Sequence, residues 1–270
     1  PPANRDGILI IDDDKHNQSY SPDATVEQFY QDILSDYSGS KTFIKRTALS
    51  DPGNTLSDAR FRHYAYSDLQ KYKLVIYHSD NISAKGNLQY DIDGLALYLL
   101  RGGNLVISHS YQLASLLEDV SEFGSRYTFL NYLGINSAPG VGRVSENLNT
   151  NYYFQKAIAA VTGYSDVNLQ FGTGENASFF TLANIRHGLS AVAYFPTTFG
   201  ETIYSLGCKP TDYSVSPPSQ AQFNLLNNQS VGIRRVNSNN SKTYTFGFPL
   251  SYMKVAETKA MMNKIISEVM

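Results

Sequence analysis

Three consecutive carboxylates follow a run of apolar residues near the beginning of the chain. Ile8 to Ile11 are apolar, and Asp12, Asp13 and Asp14 come directly after them. Acids at the end of a buried strand suit three kinds of site. They could hold a hard cation such as Ca²⁺ or Mg²⁺, support phosphoryl transfer, or end the strand in a solvated, hydrogen-bonded turn. The neighbouring sequence helps to choose among the three.

Phosphoryl transfer and cation binding each lack an expected part. ILIIDDD resembles the beginning of a receiver domain, but Asp80, the only convenient acceptor, lies farther along the chain than a compact βαβαβ unit requires. The stretch DDDKHNQS lacks the spacing and the distal Glu of a calcium loop. Adjacent side chains of a strand also point to opposite faces, so at most two of these acids could share an ion. The sequence therefore favours a turn, with a Ca²⁺ or Mg²⁺ site as an alternative.

Polar residues also follow the next two apolar runs. LVIY, residues 74 to 77, precedes His78, Ser79 and Asp80, and NLVI precedes a Ser-His-Ser turn. If these runs are parallel strands, their carboxyl ends meet at one edge of the sheet, where ligands bind in α/β folds. One candidate cleft then contains Asp13, Asp14, His16, His78, Asp80, Ser108, His109 and Ser110.

The elements that must position this cleft alternate between strand and helix in the first half. Apolar residues recur at spacings of three and four over residues 25–37 and 88–100, which predicts two amphipathic helices. Gly102 and Gly103 stand where a left-handed helix cap is expected, and YQLASLLEDV predicts a further helix. This alternation is typical of βαβ units with a parallel sheet.

The second half of the chain is less regular. YTFLNYLGI and YYFQKAIAAV predict short helices, and LSAVAYF, TIYSL, VGIRRV and TYTFGF predict strands. NSNNSK predicts a hairpin turn, and the last residues predict a helix. The expected fold class is α/β, with a doubly wound, mostly parallel sheet, helices on both faces, and antiparallel strands added in the C-terminal half.

Composition excludes several classes of partner. The chain of 270 residues has a net charge of −2 and only 17% charged residues, which does not favour nucleic acid or an anionic membrane surface. No apolar run is long enough to span a bilayer, and a single cysteine excludes an internal disulfide and a cysteine zinc site. The low charge and the 20 Tyr residues favour an extracellular or cell-surface bacterial setting.

The prolines and polar residues of PPANRDG predict that residues 1–7 are a linker from a preceding domain. Residues 8–270 are then expected to form one domain with an irregular insertion at about 121–176. The neighbouring domains of the same polypeptide are the expected partners, together with a small ligand of unknown identity.

The order of these pieces resembles the class I glutamine amidotransferase-like fold, a flavodoxin-like group that includes the ThuA-like proteins. The matching pieces are ILIIDDD, LVIYHSD, DGLALYLLRGG leading into NLVIS, YLGI, and SKTYTFGFPLSYM. An active amidotransferase would carry Gly-x-Cys-x-Gly at the strand-to-helix elbow and a His-Pro-Glu type segment near the end. This chain has ISHSY and FGFPL there, so the resemblance implies the fold without glutaminase activity.

These observations predict a noncatalytic accessory, scaffolding or ligand-binding module of a larger secreted or surface bacterial protein, with no catalytic residues and no cofactor. Two alternatives stay open. One is a serine-type hydrolase that uses the Ser108–Ser110 turn, with His187 and Asp80 as the convenient partners. The other is a divalent-cation domain that binds through Asp12–Asp14. Cys208 is expected to be a small buried apolar residue.

Overall fold

The computed structural model describes residues 5–13, 23–45, 63–80, 88–109, 124–135, 145–146, 154–170, 192–196, 198–208 and 220–270. Its strands are β1 (Ile8–Asp12), β2 (Lys41–Lys45), β3 (Leu74–Ser79), β4 (Asn104–His109), β5 (Ser145–Glu146), β6 (Phe154–Ala159), β7 (Val167–Asn168), β8 (Ala193–Tyr194), β9 (Glu201–Cys208), β10 (Ser230–Val236) and β11 (Lys242–Phe246). Its α-helices are α1 (Asp23–Ile33), α2 (Tyr66–Leu69), α3 (Leu88–Leu100), α4 (Gly124–Leu133), α5 (Gln220–Leu226) and α6 (Val255–Val269). In these ranges, no helix is both long and apolar enough to cross a bilayer.

Nine of the described strands form one mixed sheet in the order β2-β1-β3-β4-β11-β10-β9-β6-β7. The neighbours from β2 to β11 in this order are parallel, and the pairs from β11 onwards to β7 are antiparallel. The predicted fold class is therefore confirmed. β1 lies one strand in from the edge, and the chain turns to opposite sides of β1 for β2 and β3, which makes the gap between β1 and β3 a topological switch point.

Both faces of the parallel part of the sheet are covered. Ile8, Ile10 and Ile76 pack in one buried cluster with α1 and α6. Leu9 and Val75, which point the other way, pack in a second buried cluster with α2, α3 and α4. Strands buried on both faces consist of continuous apolar residues, which explains the runs ILII and LVIY in the sequence.

The C-terminal cap of α3 follows the sequence prediction. Gly102 has a φ of +82°, a left-handed conformation that residues with a Cβ rarely adopt. Its N–H bonds the carbonyl of Leu99, and the N–H of Gly103 bonds the carbonyl of Tyr98 at 2.9 Å. The helix therefore ends where the two glycines predicted, and β4 begins directly after it.

One predicted helix is wrong, because YYFQKAIAAV contains strand β6 instead. The pairing of β6 with β9 shifts register between Phe154 and Lys156. Phe154 pairs with Cys208 and Lys156 pairs with the adjacent Gly207, so β6 has one extra residue there. This bulge brings Phe154 and Ala157 onto the same buried side. Buried residues three positions apart normally indicate a helix. The bulge therefore gave the sequence of this strand a spacing typical of a helix.

The other predictions for the second half have mixed outcomes. YTFLNYLGI overlaps the greater part of α4, TIYSL lies in β9, and the NSNNSK turn joins the antiparallel pair β10 and β11, as predicted. In LSAVAYF the described part contains only the two-residue strand β8. The helix predicted for YQLASLLEDV lies outside the described residues.

A charged network fastens the C-terminal helix to the sheet. The Glu268 carboxylate accepts hydrogen bonds from Arg234 Nη1 at 3.0 Å and from the Tyr244 hydroxyl, and Lys264 Nζ lies 3.2 Å from it. Lys242 Nζ donates to the Glu268 backbone carbonyl. Although burial opposes ionisation, the hydrogen bonds from Tyr244, Arg234 and Lys264 hold the pKa of the Glu268 carboxyl below its usual range. Glu268 therefore contributes to stability as an anion.

Replacing Glu268 with Gln is expected to lower the free energy of unfolding by about 2 kcal/mol at neutral pH, since hydrogen bonds to a charged group contribute about 1.5–3 kcal/mol. The contribution of a carboxylate with a lowered pKa is present above the unfolded value of about 4.3 and is lost as the pH falls through the folded value. Urea denaturation from pH 3 to pH 7, roughly the range around these values, should show wild type and E268Q converging at the acid end. Asp36→Asn, which removes an exposed ion pair to Lys259 on the same helix, is the control and should change stability less. A constant difference at all pH values would contradict the assignment.

Candidate functional site

Two rows of polar side chains lie at the carboxyl ends of β1, β3 and β4, one on each face of the sheet. Asp12 is paired with His78, and His78 with Ser108, so these three form the Asp12 row on the α1 side. One residue farther along, Asp13, Ser79 and His109 form the Asp13 row on the α3 side, with Ser79 paired to His109. All six residues are at most 6% exposed.

The predicted cleft residues therefore do meet at one edge, but the sheet divides them. Asp13 and His109 lie on one face, and His78, Asp80 and Ser108 lie on the other. Asp12 and Asp13 point to opposite faces, as expected, because adjacent side chains alternate along an extended chain. Asp14, His16 and Ser110 lie outside the described residues, as does His187.

A buried histidine and carboxylate form a pair in the Asp12 row. His78 Nδ1 lies 2.9 Å from Asp80 Oδ2, and the two side chains are 2% and 0% exposed. They face the same side because they are two residues apart on an extended chain. The His78 ring also stacks on Tyr30 of α1, with ring centroids 3.7 Å apart and planes at 18°. The contact with Asp80 and the stacking on Tyr30 together hold the His78 imidazole in one orientation.

A small cavity adjoins this histidine. Asp12, Tyr30, Lys45 and His78 contribute to its wall, and its volume of about 10 Å³ has room for about one water molecule. Lys45, at the end of β2, makes an ion pair with Glu27 of α1 beside it. The described walls thus combine acidic, basic and aromatic groups around a space of water size.

Ser108 is engaged in a link to the segment after β11. Its hydroxyl donates to the Phe248 carbonyl at 3.2 Å and accepts from the Leu250 N–H at 3.0 Å. The N–H of Ser251 also lies 3.4 Å from Asp80 Oδ1. These contacts dock residues 248–251 on the ends of β3 and β4. The hydroxyl proton of Ser108 is therefore used structurally.

The Asp13 row is continued by a tyrosine and a second buried acid. The Tyr77 hydroxyl lies 2.8 Å from Asp13 Oδ2 and 3.1 Å from Asp91 Oδ2. Asp91 Oδ1 also accepts the N–H of Tyr64 at 2.9 Å. Because Asp91 is in the first turn of α3, these contacts join that helix to the ends of β1 and β3.

Sequence reasoning missed three members of this edge: Tyr30, Tyr77 and Asp91. One signal was available, since Asp91 falls between Leu88 and Ile92 on the apolar side of the predicted helix. An acid on an apolar helix face needs a buried partner. The His78–Asp80 pair was also not recognised as a pair, although both residues were assigned to the cleft.

No metal group or reactive thiol is evident in the described part of the chain. No group of three or more His, Cys, Asp or Glu side chains there is arranged to hold a metal ion. Cys208 ends β9, which β10 and β11 separate from β4. Cys208 is partly buried, where the sequence predicted a buried residue, and this burial raises the pKa of its thiol to about 12, so the thiol stays protonated at neutral pH.

Comparison with known proteins shows a similarity to solved structures but not to a known family. No family model matches the sequence, and no curated protein matches it. The chain is similar to a crystal structure reported as a ThuA-like protein from Bacteroides uniformis, with 12% sequence identity and a TM-score of 0.49. The similarity covers 100% of this chain and 93% of the other. The fold described above rests on the strand order of this chain itself.

Proposed function

We propose that this chain is a noncatalytic module that binds a small polar ligand at the carboxyl edge of β1, β3 and β4. The proposal is carried by the gathering of buried ionisable side chains at the switch point between β1 and β3. They are Asp12, Asp13, His78, Asp80 and Asp91, all at most 6% exposed. Burying such groups costs free energy that an apolar core would not require, so their concentration at one edge favours a functional reason.

The missing nucleophile supports a binding role over a catalytic one. At the strand-to-helix elbow, where an amidotransferase would carry cysteine, this chain has Ile107-Ser108-His109. The Ser108 hydroxyl donates to Phe248 instead of to a general base. Cys208 is distant in the strand order and protonated. Among the described residues, no side chain is prepared for covalent catalysis.

The chemistry of the edge suggests the class of ligand. Among the described residues of this edge, carboxylates outnumber cationic groups, and His78 is already bonded to Asp80. Ligands that donate hydrogen bonds, such as amines and polyhydroxyl compounds, suit this edge better than phosphates or carboxylates. The low charged fraction of the chain supports a further part of the proposal, that the module acts within a larger secreted or surface bacterial protein.

Ligand-detected NMR with a panel of amines, polyols, sugars, phosphates and carboxylic acids tests this proposal. We expect at least one amine or hydroxyl compound to bind, and Asp12→Asn to weaken that binding about tenfold, the effect of losing one charged hydrogen bond. Asp32→Asn, at a partly exposed position of α1 where the carboxylate accepts from Gln28, is the matched control and should bind as wild type does. The absence of any Asp12-dependent binding at millimolar concentration would overturn the proposal.

The second candidate function is hydrolysis, and the His78–Asp80 pair favours it. A carboxylate on Nδ1 orients an imidazole so that Nε2 can act as a general base, as in serine hydrolases. A fluorophosphonate probe distinguishes the two functions. The binding proposal predicts no labelling, whereas labelling that is lost in Ser108→Ala or Ser110→Ala and slowed in His78→Gln would establish a hydrolase instead.

A further inference from the structure

The Tyr77 hydroxyl stands between two buried carboxyl groups but carries only one hydrogen. Its oxygen lies within hydrogen-bond distance of Asp13 and of Asp91, at 2.8 and 3.1 Å. The phenol can donate to one of them only. For the second contact to be a hydrogen bond as well, the second carboxyl must supply the hydrogen.

We infer that Asp13 and Asp91 together hold one proton at neutral pH, shared through the Tyr77 hydroxyl. One carboxylate accepts the phenol hydrogen, and the other, as a carboxylic acid, donates to the phenol oxygen. Both contacts are then favourable, whereas two carboxylate anions would place negative charge on both sides of one oxygen. Two buried acids in contact with a common group ordinarily titrate as a pair with one value raised.

The surroundings of the pair are consistent with a neutral acid. The backbone N–H of Tyr64 donates to Asp91 Oδ1, and this donor occupies one oxygen in either protonation state. From β4, His109 is the ionisable group at the far end of the Asp13 row. Between them, the buried Ser79 hydroxyl has no hydrogen-bond partner among the residues that the structure describes, so a carboxyl group, a water molecule or a ligand could bond to it.

This proton couples helix α3 to the proposed binding edge. Asp91 belongs to α3, Tyr77 to β3, and Asp13 follows β1, so a single hydrogen-bond chain joins three elements. The folded protein binds one more proton than the unfolded chain above the ordinary carboxyl value. By linkage, the contribution of this pair to stability is fully present below that value and is lost as the pH rises through the folded value. The link between α3 and the ends of β1 and β3 therefore stabilises the fold more in mildly acidic than in alkaline solution.

Infrared difference spectroscopy in heavy water tests the inference on the intact protein. We expect wild type at neutral pH to show the C=O stretching band of a buried carboxylic acid. The band should vanish in Asp91→Asn or Asp13→Asn and persist in Asp93→Asn, an exposed acid of the same helix. A wild-type spectrum without this band would mean that both carboxyl groups are ionised and would overturn the inference.

Equilibrium unfolding in urea, measured at a series of pH values, provides a second test of the inference. Relative to Asp91→Asn, the unfolding constant of wild type should rise about tenfold per pH unit above roughly pH 4, because one proton is released on unfolding. If Asp91→Asn does not fold, Tyr77→Phe takes its place in the comparison. The unfolding constant of Tyr77→Phe should then rise less steeply with pH than that of Asp93→Asn. Identical slopes in wild type and in the variants of the pair would overturn the inference. These outcomes do not depend on ligand binding, so they are separate from the test of the proposed function.

Discussion

Replacing Asp80 with alanine is expected to lower the free energy of unfolding by about 2–5 kcal/mol, because two buried groups lose their hydrogen-bond acceptor and each such loss costs about 1–3 kcal/mol. Asp80 is fully buried and lies 2.9 Å from His78 Nδ1, and its other oxygen faces the N–H of Ser251. The substitution leaves both groups buried without this acceptor. Because domains are stable by only about 5–15 kcal/mol, the loss should be plain in urea denaturation followed by circular dichroism.

Two comparisons isolate the pair. Asp80→Asn keeps an oxygen of similar position and should recover part of the loss. Asp32→Ala, at a partly exposed position of α1, should be close to neutral. The double variant Asp80→Ala with His78→Gln should be less destabilised than the sum of the single variants, because the two residues share one contact. A loss below about 1 kcal/mol for Asp80→Ala would mean that the pair contributes no more than a surface ion pair does.

Replacing Gly94 with alanine is expected to destabilise the protein by about 2 kcal/mol, although alanine is the better helix former. A Cβ at this position would lie 1.9 Å from the backbone carbonyl oxygen of Tyr64, a contact that no rotamer change can relieve. Overpacking costs about 1–3 kcal/mol and sometimes more, and the gain in helix propensity returns only about 1 kcal/mol at most. The displaced segment also carries the Tyr64 N–H that bonds Asp91, so the edge should lose that contact as well.

The control for Gly94→Ala is Asp93→Ala, the neighbouring exposed position of the same helix. It gains helix propensity without meeting another part of the chain and should leave stability unchanged or slightly raised. Thermal and urea unfolding of the two variants separate the steric effect from the propensity effect. A Gly94→Ala protein as stable as Asp93→Ala would show that the backbone near Tyr64 moves aside at little cost.

The elements that the sequence predicted best are those in which local pattern and tertiary packing agree. The glycine cap of α3 and the hairpin between β10 and β11 are found as predicted, and α1 is found but ends at Ile33, before the predicted end at residue 37. The wrong prediction, β6, arose where a bulge changed the spacing of buried residues. A bulge is determined by pairing with β9, a strand that is distant in the sequence, so no local pattern could indicate it.

For the candidate site, the sequence alone determined that acids, histidines and serines follow the apolar strands and would therefore collect at one edge. It also determined that Asp12 and Asp13 would point apart, because that follows from the geometry of an extended chain. The tertiary structure decided which of these groups touch. His78 with Asp80, Ser108 with Phe248, and Tyr77 between Asp13 and Asp91 all depend on strand register and on where α1, α3 and the last loop pack. Such contacts join residues that are distant along the chain, and only the folded arrangement of layers brings them within hydrogen-bond distance.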